Sequence, residues 1–352
     1  MRYLYYISLS ILILIAPGCT SDDDQLIQPL DEFWVTESPE NLGFDESALQ
    51  QVMNEAERLA NFKALLIIRG GKLAVEEYWN GSNVNSLHHL RSITKNFTSS
   101  MIGIALEQGE IATVDAALAD YYPDLDASKA AITIRHLLNM SSGLIWDEDT
   151  EVLDLIEGRI TEPVSDQLSR ELDTIPGTLF NYNSASTHVL ADLLSKQSNL
   201  PFEHLVEDQL FEPLGIADYQ WDRDPNGAVW GGFGLQLTAR DLAKLGQLYL
   251  NSGSWEGQQV IPRSWVSVSS TEQIILPGSS TAGYSNQWWI SKSLNTQLFY
   301  GQGYGGQGLM ILPDEQMVIV VFQEHLVSGE QSIRQWRNFI DNVFLPLLDT
   351  VD

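Results

Sequence analysis

Apolar residues recur along the N-terminal part of the chain at the spacing of one helix followed by two strands. Between residues 45 and 60 they fall near a 3.6-residue period, which predicts an amphipathic helix. Residues 64–69 and 73–79 are two runs rich in strand-forming side chains. The Gly70-Gly71 pair between them is typical of a tight turn, so these two runs are predicted to form a β-hairpin.

The middle of the chain, from residue 92 to about residue 251, has mostly helical periodicity. Residues 92–108 are apolar on nearly every side, which predicts a buried helix that ends at Gly109. Thr133 and Thr238 stand where they can cap two further helices. The C-terminal part then changes to strand-like runs at 287–291, 297–300, 308–312 and 316–323, followed by a helix over 329–345.

This order of elements predicts the fold class. Strands from the two ends of a chain can join one antiparallel sheet, with the middle of the chain as an insertion against it. We therefore expect an α+β fold, in which helices flank an antiparallel sheet and a large, mostly helical domain is inserted. Residues 41–90 and 275–350 would form the sheet domain and residues 91–274 the helical domain. A ligand cleft is expected between the two parts.

The first 40 residues have a different composition from the rest. Arg2 precedes an apolar run over residues 3–16, which is too short for a membrane span and typical of a signal peptide covering residues 1–18. Ala16-Pro17-Gly18-Cys19 resembles a lipobox, so Cys19 is the expected lipidation site and residues 19–40 a tether. The expected location is then the outer membrane or cell surface. Ordinary signal cleavage, which would leave a periplasmic protein, is the alternative.

The charge of the chain limits its partners. With 19 basic and 47 acidic residues the net charge is −28, which repels nucleic acid and anionic membrane surfaces. We interpret the excess as a solvated acidic surface. The expected partner is a small molecule, and the expected contact with a membrane is through the lipid anchor alone.

Ser92 and Lys95 are the first candidates for chemistry. Residues three apart share one face of a helix, so the lysine amine can reach the serine hydroxyl. A lysine that is removed from water can take the proton of a serine and so activate it as a nucleophile. A capping serine beside a lysine that extends to the surface is the alternative. The apolar surroundings of this lysine favour the catalytic interpretation.

Two further segments carry candidate chemistry. Tyr182 follows the turn at Pro176-Gly177, and a phenol near a lysine can act as a general acid or base, although a packed aromatic is the alternative. The glycines of residues 301–306 match a dinucleotide-binding pattern, but a strand follows them instead of a helix, so we reject that function. They instead indicate a close approach of backbone, for which an acyl group along the strand would fit. The six histidines show no metal-binding spacing, and neither a metal nor a cofactor is predicted.

Together these three segments, in this order, resemble the β-lactamase-related serine hydrolases. That group includes class C β-lactamases, penicillin-binding proteins, family VIII esterases and 6-aminohexanoate-dimer hydrolases. The resemblance extends over roughly residues 40–345 and also rests on residues 133–144 and 231–250. It implies a helical domain packed on an α/β domain with an antiparallel sheet.

The resemblance also implies roles for individual residues. Ser92 and Lys95 correspond to the nucleophile and base of the S-x-x-K motif, and Tyr182 corresponds to the tyrosine of Y-x-N. The backbone N–H groups of Ser92 and Tyr304 would form the oxyanion hole. The residues placed at the substrate are Ser184, Gly303 and Trp146.

Two departures from the family pattern change the expected substrate. Ser184 replaces the asparagine of Y-x-N, and Gly301-Gln302-Gly303 lacks the cation and hydroxyl that hold a β-lactam or peptide carboxylate. Both favour an esterase or amidase for less anionic substrates. A penicillin-binding protein or β-lactamase is the first alternative. A non-catalytic surface lipoprotein that only binds in the cleft is the second.

Overall fold

Strands from both ends of the chain form one sheet. The structure, a computed structural model, describes residues 33–292 and 294–351. The strands of this part of the chain are β1 (Phe62–Arg69), β2 (Lys72–Tyr78), β3 (His88–His89), β4 (Gln220–Trp221), β5 (Leu235–Leu237), β6 (Ser254–Trp255), β7 (Gln258–Gln259), β8 (Ile274–Ile275), β9 (Ala282–Ser285), β10 (Trp288–Ser291), β11 (Leu298–Gly303), β12 (Gln307–Leu312) and β13 (Met317–Gln323).

Eight of these strands make the main sheet, in the order β2-β1-β13-β12-β11-β10-β9-β8. Every neighbouring pair is antiparallel, and β1 pairs with β13 over its length, with Arg69 opposite Met317. Two small sheets, β3-β5-β4 and β6-β7, lie outside it. The predicted joining of the two chain ends in one antiparallel sheet is confirmed.

Helices cover the sheet and fill the middle of the chain. The α-helices of the described residues are α1 (Glu46–Arg58), α2 (Thr94–Glu107), α3 (Ile134–Leu138), α4 (Glu148–Ile156), α5 (Pro163–Ser169), α6 (Ser184–Ser198), α7 (Phe202–Val206), α8 (Glu212–Leu214), α9 (Ala239–Leu250), α10 (Arg263–Ser269), α11 (Gly329–Phe339) and α12 (Leu345–Leu348). π-Helical turns at Glu207–Phe211 and Ile340–Phe344 join α7 to α8 and α11 to α12. The α+β prediction is therefore confirmed, and the chain from Val35 onward is one compact unit.

The sheet is buried on both faces. On one face, β1 packs through Leu65 and Ile67 against Val52 of α1 and Phe339 of α11. On the other, α9 lies directly on β12 and β13, so closely that a Cβ on Gly246 would stand 2.5 Å from Val318 Cγ1. Burial on two faces explains why these strands are continuous apolar runs.

Several elements that local sequence signals predicted are present in the structure. The turn between β1 and β2 uses Gly70 and Gly71, both with left-handed backbone (φ 57° and 75°), as the hairpin prediction requires. Thr133 and Thr238 accept backbone hydrogen bonds at the starts of α3 and α9. These signals depend on neighbours in the chain, which is why they could be identified without the fold.

The buried helix begins differently from its prediction. A 3₁₀ turn over Arg91–Ile93 comes first, and α2 itself begins at Thr94. Arg91 has a left-handed backbone (φ 53°), which an α-helix cannot accommodate, so the helix does not extend further back. From Thr94 to Ala105 every residue of α2 is buried, in agreement with the prediction.

The sequence missed the edge of the sheet. Strands β8 and β9 were not expected, because residues 274–285 contain Pro277, glycines and serines that favour turns. The pairing of β9 with β10 depends on tertiary packing. The predicted C-terminal helix is present but is interrupted by the π-helical turn and reaches Leu348.

Most of the N-terminal predictions lie outside the described residues, including the signal peptide and Cys19. At the end of the predicted tether, Thr36 forms a parallel bridge with Leu73, and Glu37 N donates to the Leu73 carbonyl at 3.1 Å. These tether residues therefore run beside β2. Among the described helices, none combines the length and the apolar character needed to cross a membrane.

Candidate active site

Ser92 lies where the small β3-β5-β4 sheet, α2 and the main sheet meet. The 3₁₀ turn that carries it is held by Leu90 N, which donates to the Leu235 carbonyl at 2.9 Å. The same turn contacts β11 of the main sheet. Ser92 is half-buried and directly precedes α2, whose N-terminus favours developing negative charge.

Lys95 is buried and its amine has three oxygen partners. Nζ lies 3.0 Å from Ser92 Oγ, 2.9 Å from Ser184 Oγ and 2.8 Å from the Gly232 carbonyl oxygen. Only 1% of the residue is exposed. Burial lowers the pKa of Lys95 to about 8, and the nearby charge of Glu148 opposes that shift. The structure thus brings Ser92 and Lys95 into direct contact.

Tyr182 covers the same amine. Lys95 Nζ lies 4.8 Å from the centroid of its ring, and the neighbouring Ser92 side chain acts to lower the pKa of its hydroxyl. The ring is stacked on Trp289, with 5.8 Å between centroids. Burial, together with the Glu148 charge, raises the pKa of Tyr182 well above its ordinary value despite the Ser92 contact. The phenol therefore stays neutral, and Lys95 is the group of this trio that titrates near neutral pH.

Ser184 is placed beside Lys95, with its hydroxyl used twice. Besides accepting from Lys95, Ser184 Oγ donates to Glu148 Oε1, and Ser184 N donates to Glu148 Oε2 at 2.9 Å. The residue is 1% exposed. It was predicted to contact substrate, and the structure places it between the lysine and a carboxylate.

Glu148 is a site residue that sequence reasoning missed. It begins α4 and lies in the acidic stretch 147–151, where nothing distinguishes it from its neighbours. Burial raises the pKa of Glu148, while Lys95 and the hydrogen bonds from Ser184 and Trp146 lower it. Its partners come from parts of the chain that only the fold brings together.

Trp146, predicted to be a substrate contact, lies in a buried aromatic cluster. It is 6% exposed and packs with Trp230 and Phe233. Its indole Nε1 donates to Glu148 Oε2 at 2.6 Å. Trp146 is thus connected to the Ser92–Lys95 pair through Glu148.

The glycines of the third motif let β11 lie against the segment that carries Ser92. A Cβ on Gly301 would stand 2.3 Å from Asn96 Oδ1, and one on Gly303 would stand 2.4 Å from the Leu90 carbonyl oxygen. Their close approach is therefore to this protein segment, whereas the sequence had suggested an acyl group. A side chain at either position would push the strand away from Ser92.

Tyr304 is the first residue of the turn after β11, one position beyond the strand end. Within the described part of the chain, neither its backbone N–H nor that of Ser92 has a hydrogen-bond acceptor. Tyr304 is 43% exposed, and its side-chain hydroxyl donates to the Val327 carbonyl at 2.7 Å. Both N–H groups are thus free to bind an oxyanion.

A cluster of His89, Arg91 and His325 borders the turn that begins at Tyr304, and the sequence did not predict it. His89 Nε2 lies 3.1 Å from Asp222 Oδ2, and the His89 and His325 rings are 5.1 Å apart. Burial lowers the pKa of His89 to about 4, so it is neutral at pH 7. Arg91, next to the nucleophile, forms no ion pair with any described residue, and its Nε is buried without a partner there. Burial lowers the pKa of Arg91, but a guanidinium stays protonated in proteins, so Arg91 is the cation of this cluster.

Candidate metal ligands are not grouped in the described part of the chain. No set of three or more His, Cys, Asp or Glu side chains there is arranged to hold an ion. The chemistry that the observed arrangement offers is that of a serine beside a buried amine.

This fold and this serine–lysine–tyrosine arrangement define a serine hydrolase of the β-lactamase type. The family model described as Beta-lactamase matches residues 57–339, and the chain belongs to that family. The family predicted from the sequence is confirmed, and with it the prediction of an enzyme. A non-catalytic binding protein, the second alternative, is set aside.

Three similar proteins illustrate the range of the family. A 6-aminohexanoate-dimer hydrolase of Paenarthrobacter ureafaciens is 25% identical over 312 residues, which cover 82% of this chain and 78% of that protein. The D-alanyl-D-alanine-carboxypeptidase/endopeptidase AmpH of Escherichia coli K12 is 25% identical over 232 residues, covering 55% and 58%. The structure of a candidate 6-aminohexanoate-dimer hydrolase from Bacillus anthracis superposes with a TM-score of 0.73 at 25% identity, covering 85% and 82%.

Proposed function

We propose that this protein hydrolyses ester or amide bonds of small substrates through an acyl-enzyme on Ser92. The observation that carries the proposal is the 3.0 Å contact between Lys95 Nζ and Ser92 Oγ, made by an amine that burial brings to a pKa of about 8. A base is most effective when its pKa lies near the working pH.

The reaction has two steps. Ser92 Oγ attacks the substrate carbonyl while Lys95 takes its proton, and the N–H groups of Ser92 and Tyr304 stabilise the oxyanion. Lys95, with the neutral Tyr182 hydroxyl as a donor, then returns the proton to the leaving group. Water then attacks the acyl-enzyme while Lys95 takes its proton, and that proton returns to Ser92 Oγ as the acid product leaves.

The pH dependence tests the role of Lys95. Only the neutral amine can accept a proton, so activity should be lost as pH falls below the pKa of about 8. We expect kcat/KM for a neutral ester to fall about tenfold per pH unit below that value and to level off above it. Stopped-assay rates between pH 5.5 and 9.5 measure this. A flat profile over pH 6–9 would exclude Lys95 as the base.

The substrate class follows from the third motif and from the relatives. Gly301-Gln302-Gly303 offers backbone but no cation to a substrate carboxylate. The similar proteins include a hydrolase of 6-aminohexanoate dimers and a D-alanyl-D-alanine carboxypeptidase. The first name supports an amidase or esterase, and the second supports the alternative of a penicillin-binding protein. The two proposals differ in whether the enzyme prefers substrates that carry a carboxylate.

A matched pair of substrates makes that separation measurable. We expect a neutral p-nitrophenyl ester to have a kcat/KM about tenfold or more above that of its analogue with a terminal carboxylate. The third motif offers that carboxylate no charge-assisted hydrogen bond to offset its removal from water. Penicillins and cephalosporins should be turned over poorly. Equal or better hydrolysis of the carboxylate contradicts this proposal, and its loss in Arg91→Ala would identify Arg91 as the cation responsible.

Export as a lipoprotein is proposed from the sequence alone. Metabolic labelling with a palmitate analogue should tag the wild type and leave Cys19→Ala untagged. An untagged wild-type protein whose N-terminus begins at another residue would favour ordinary signal cleavage and a periplasmic protein.

A further inference from the structure

The Glu148 carboxylate reaches Lys95 through a single hydroxyl group. Ser184 Oγ lies 2.9 Å from Lys95 Nζ and also contacts Glu148 Oε1. We propose that Glu148 is a positioning residue that, through Ser184, points the free electron pair of Lys95 at Ser92 and stabilises the charged form of the amine. This inference rests on the proposed function, in which Lys95 takes the Ser92 proton.

The surroundings of Glu148 fix it as an acceptor. Its Oε2 receives hydrogen bonds from Trp146 Nε1 at 2.6 Å and from Ser184 N at 2.9 Å, and both of these groups can only donate. The residue also begins α4, where the helix N-terminus favours a negative side chain. With Glu148 ionised, as the nearby Lys95 charge and the hydrogen bonds from Ser184 and Trp146 favour, the Ser184 hydroxyl donates its one proton to Oε1.

This direction decides how the lysine is oriented. Because the Ser184 hydroxyl uses its one proton in the hydrogen bond to Glu148, its oxygen can only accept a hydrogen bond from Lys95. The Gly232 carbonyl, 2.8 Å from Nζ, is also an acceptor. A neutral amine has two N–H groups, and these two acceptors use both. The remaining electron pair then faces Ser92 Oγ, the third partner at 3.0 Å.

The replacement Glu148→Gln should reverse this arrangement. The Trp146 and Ser184 backbone donors require the amide oxygen on their side, so the amide nitrogen takes the place of Oε1. That nitrogen donates to Ser184 Oγ, which frees the Ser184 proton for Lys95. The electron pair of the amine is then directed to Ser184 and away from Ser92.

The same replacement removes a charge. Ser92, on the turn before α2, faces Lys95. So do Tyr182, which precedes α6, and Ser184, which begins that helix. The fourth group is Glu148 on α4. Tyr284 of β9 lies behind Tyr182. Burial raises the pKa of both tyrosines, so they are neutral. Glu148 is thus the charged group of this set, and its negative charge acts to raise the pKa of Lys95 while burial lowers it.

The experiment compares pH profiles of kcat and kcat/KM for four proteins: the wild type, Glu148→Gln, Ser184→Ala and Asp149→Asn. We expect Glu148→Gln to lower the plateau of kcat on the order of 10- to 100-fold, as for loss of a charge-assisted hydrogen bond. Its acid limb should move to lower pH by about one unit or more. Asp149→Asn, an exposed neighbour on α4, should match the wild type.

Ser184→Ala separates orientation from charge. It removes the bridging hydroxyl and keeps the carboxylate, so kcat should fall while the acid limb moves less than in Glu148→Gln. A purely structural Glu148 would lower the amount of folded protein and leave the midpoint of the profile in place. Circular dichroism and thermal melting of each variant check folding directly.

An unchanged midpoint in folded Glu148→Gln would overturn the inference, as would an unchanged kcat in Ser184→Ala. Neither result would affect the proposed function, because that depends on the loss of activity in Ser92→Ala. Retained activity in Ser92→Ala would instead remove the proposed function, and the inference with it.

Discussion

Replacing Ser92 with alanine should lower kcat for a neutral ester by on the order of 10³-fold or more, with no loss of folding. The nucleophile is the one group for which no neighbour can substitute, and Lys95 then has no proton to accept. The change removes a single oxygen from a half-buried residue, so no large cavity forms. A fluorophosphonate probe should label the wild type and leave Ser92→Ala unlabelled.

The control for this variant is Ser195→Ala. Ser195 lies on α6, and its hydroxyl donates only to the Ala191 carbonyl of its own helix. This variant should keep both activity and labelling. Near-normal ester hydrolysis by Ser92→Ala, or undiminished labelling, would show that another residue is the nucleophile.

Replacing Lys95 with methionine should reduce activity by a similar factor and lower the melting temperature. The Gly232 carbonyl and the Ser184 hydroxyl lose their donor, and the Glu148 carboxylate loses the cation beside it. Activity falls because no other described group beside Ser92 can take its proton near neutral pH, since Tyr182 stays a neutral phenol. Steady-state kinetics and thermal melting measure the two effects.

Two comparisons make this prediction specific. Lys129 is also buried, and its amine donates to the Leu168 carbonyl at 2.7 Å, so Lys129→Met removes a buried lysine away from Ser92 and should keep kcat. The double variant Ser92→Ala with Lys95→Met should be little worse than either single one, because the two residues act as a unit. Additive losses would contradict direct proton transfer between them.

The glycines of the third motif support the proposed chemistry. Gly301 and Gly303 allow β11 to lie against residues 90–96, and Tyr304 directly follows the end of that strand. In the proposed reaction the Tyr304 and Ser92 backbone N–H groups would be oxyanion donors that sheet pairing and burial hold in place before substrate binds. Such preorganised donors are among the larger contributions to acyl transfer.

Residues close together in the sequence could be assigned without the fold. Ser92 and Lys95 are three apart at the start of a buried segment, and helical geometry alone places them side by side. The Gly70-Gly71 turn and the Thr238 cap are likewise local, because each depends on backbone within a few residues. The family resemblance added Tyr182, whose ring does lie beside the Lys95 amine.

The sequence by itself therefore determined the α+β class, the hairpin, the buried helix and the serine–lysine pair, since short-range spacing and burial specify them. The tertiary structure decided the rest. Glu148 meets Ser184, 36 residues away, and Ser184 meets Lys95 across 89 residues. No periodicity links such distant positions; the packing of α4, α6 and α2 does. For the same reason, only the fold could show that Trp146 supports Glu148 and that Arg91 borders the turn of Tyr304 without an ion pair to any described residue.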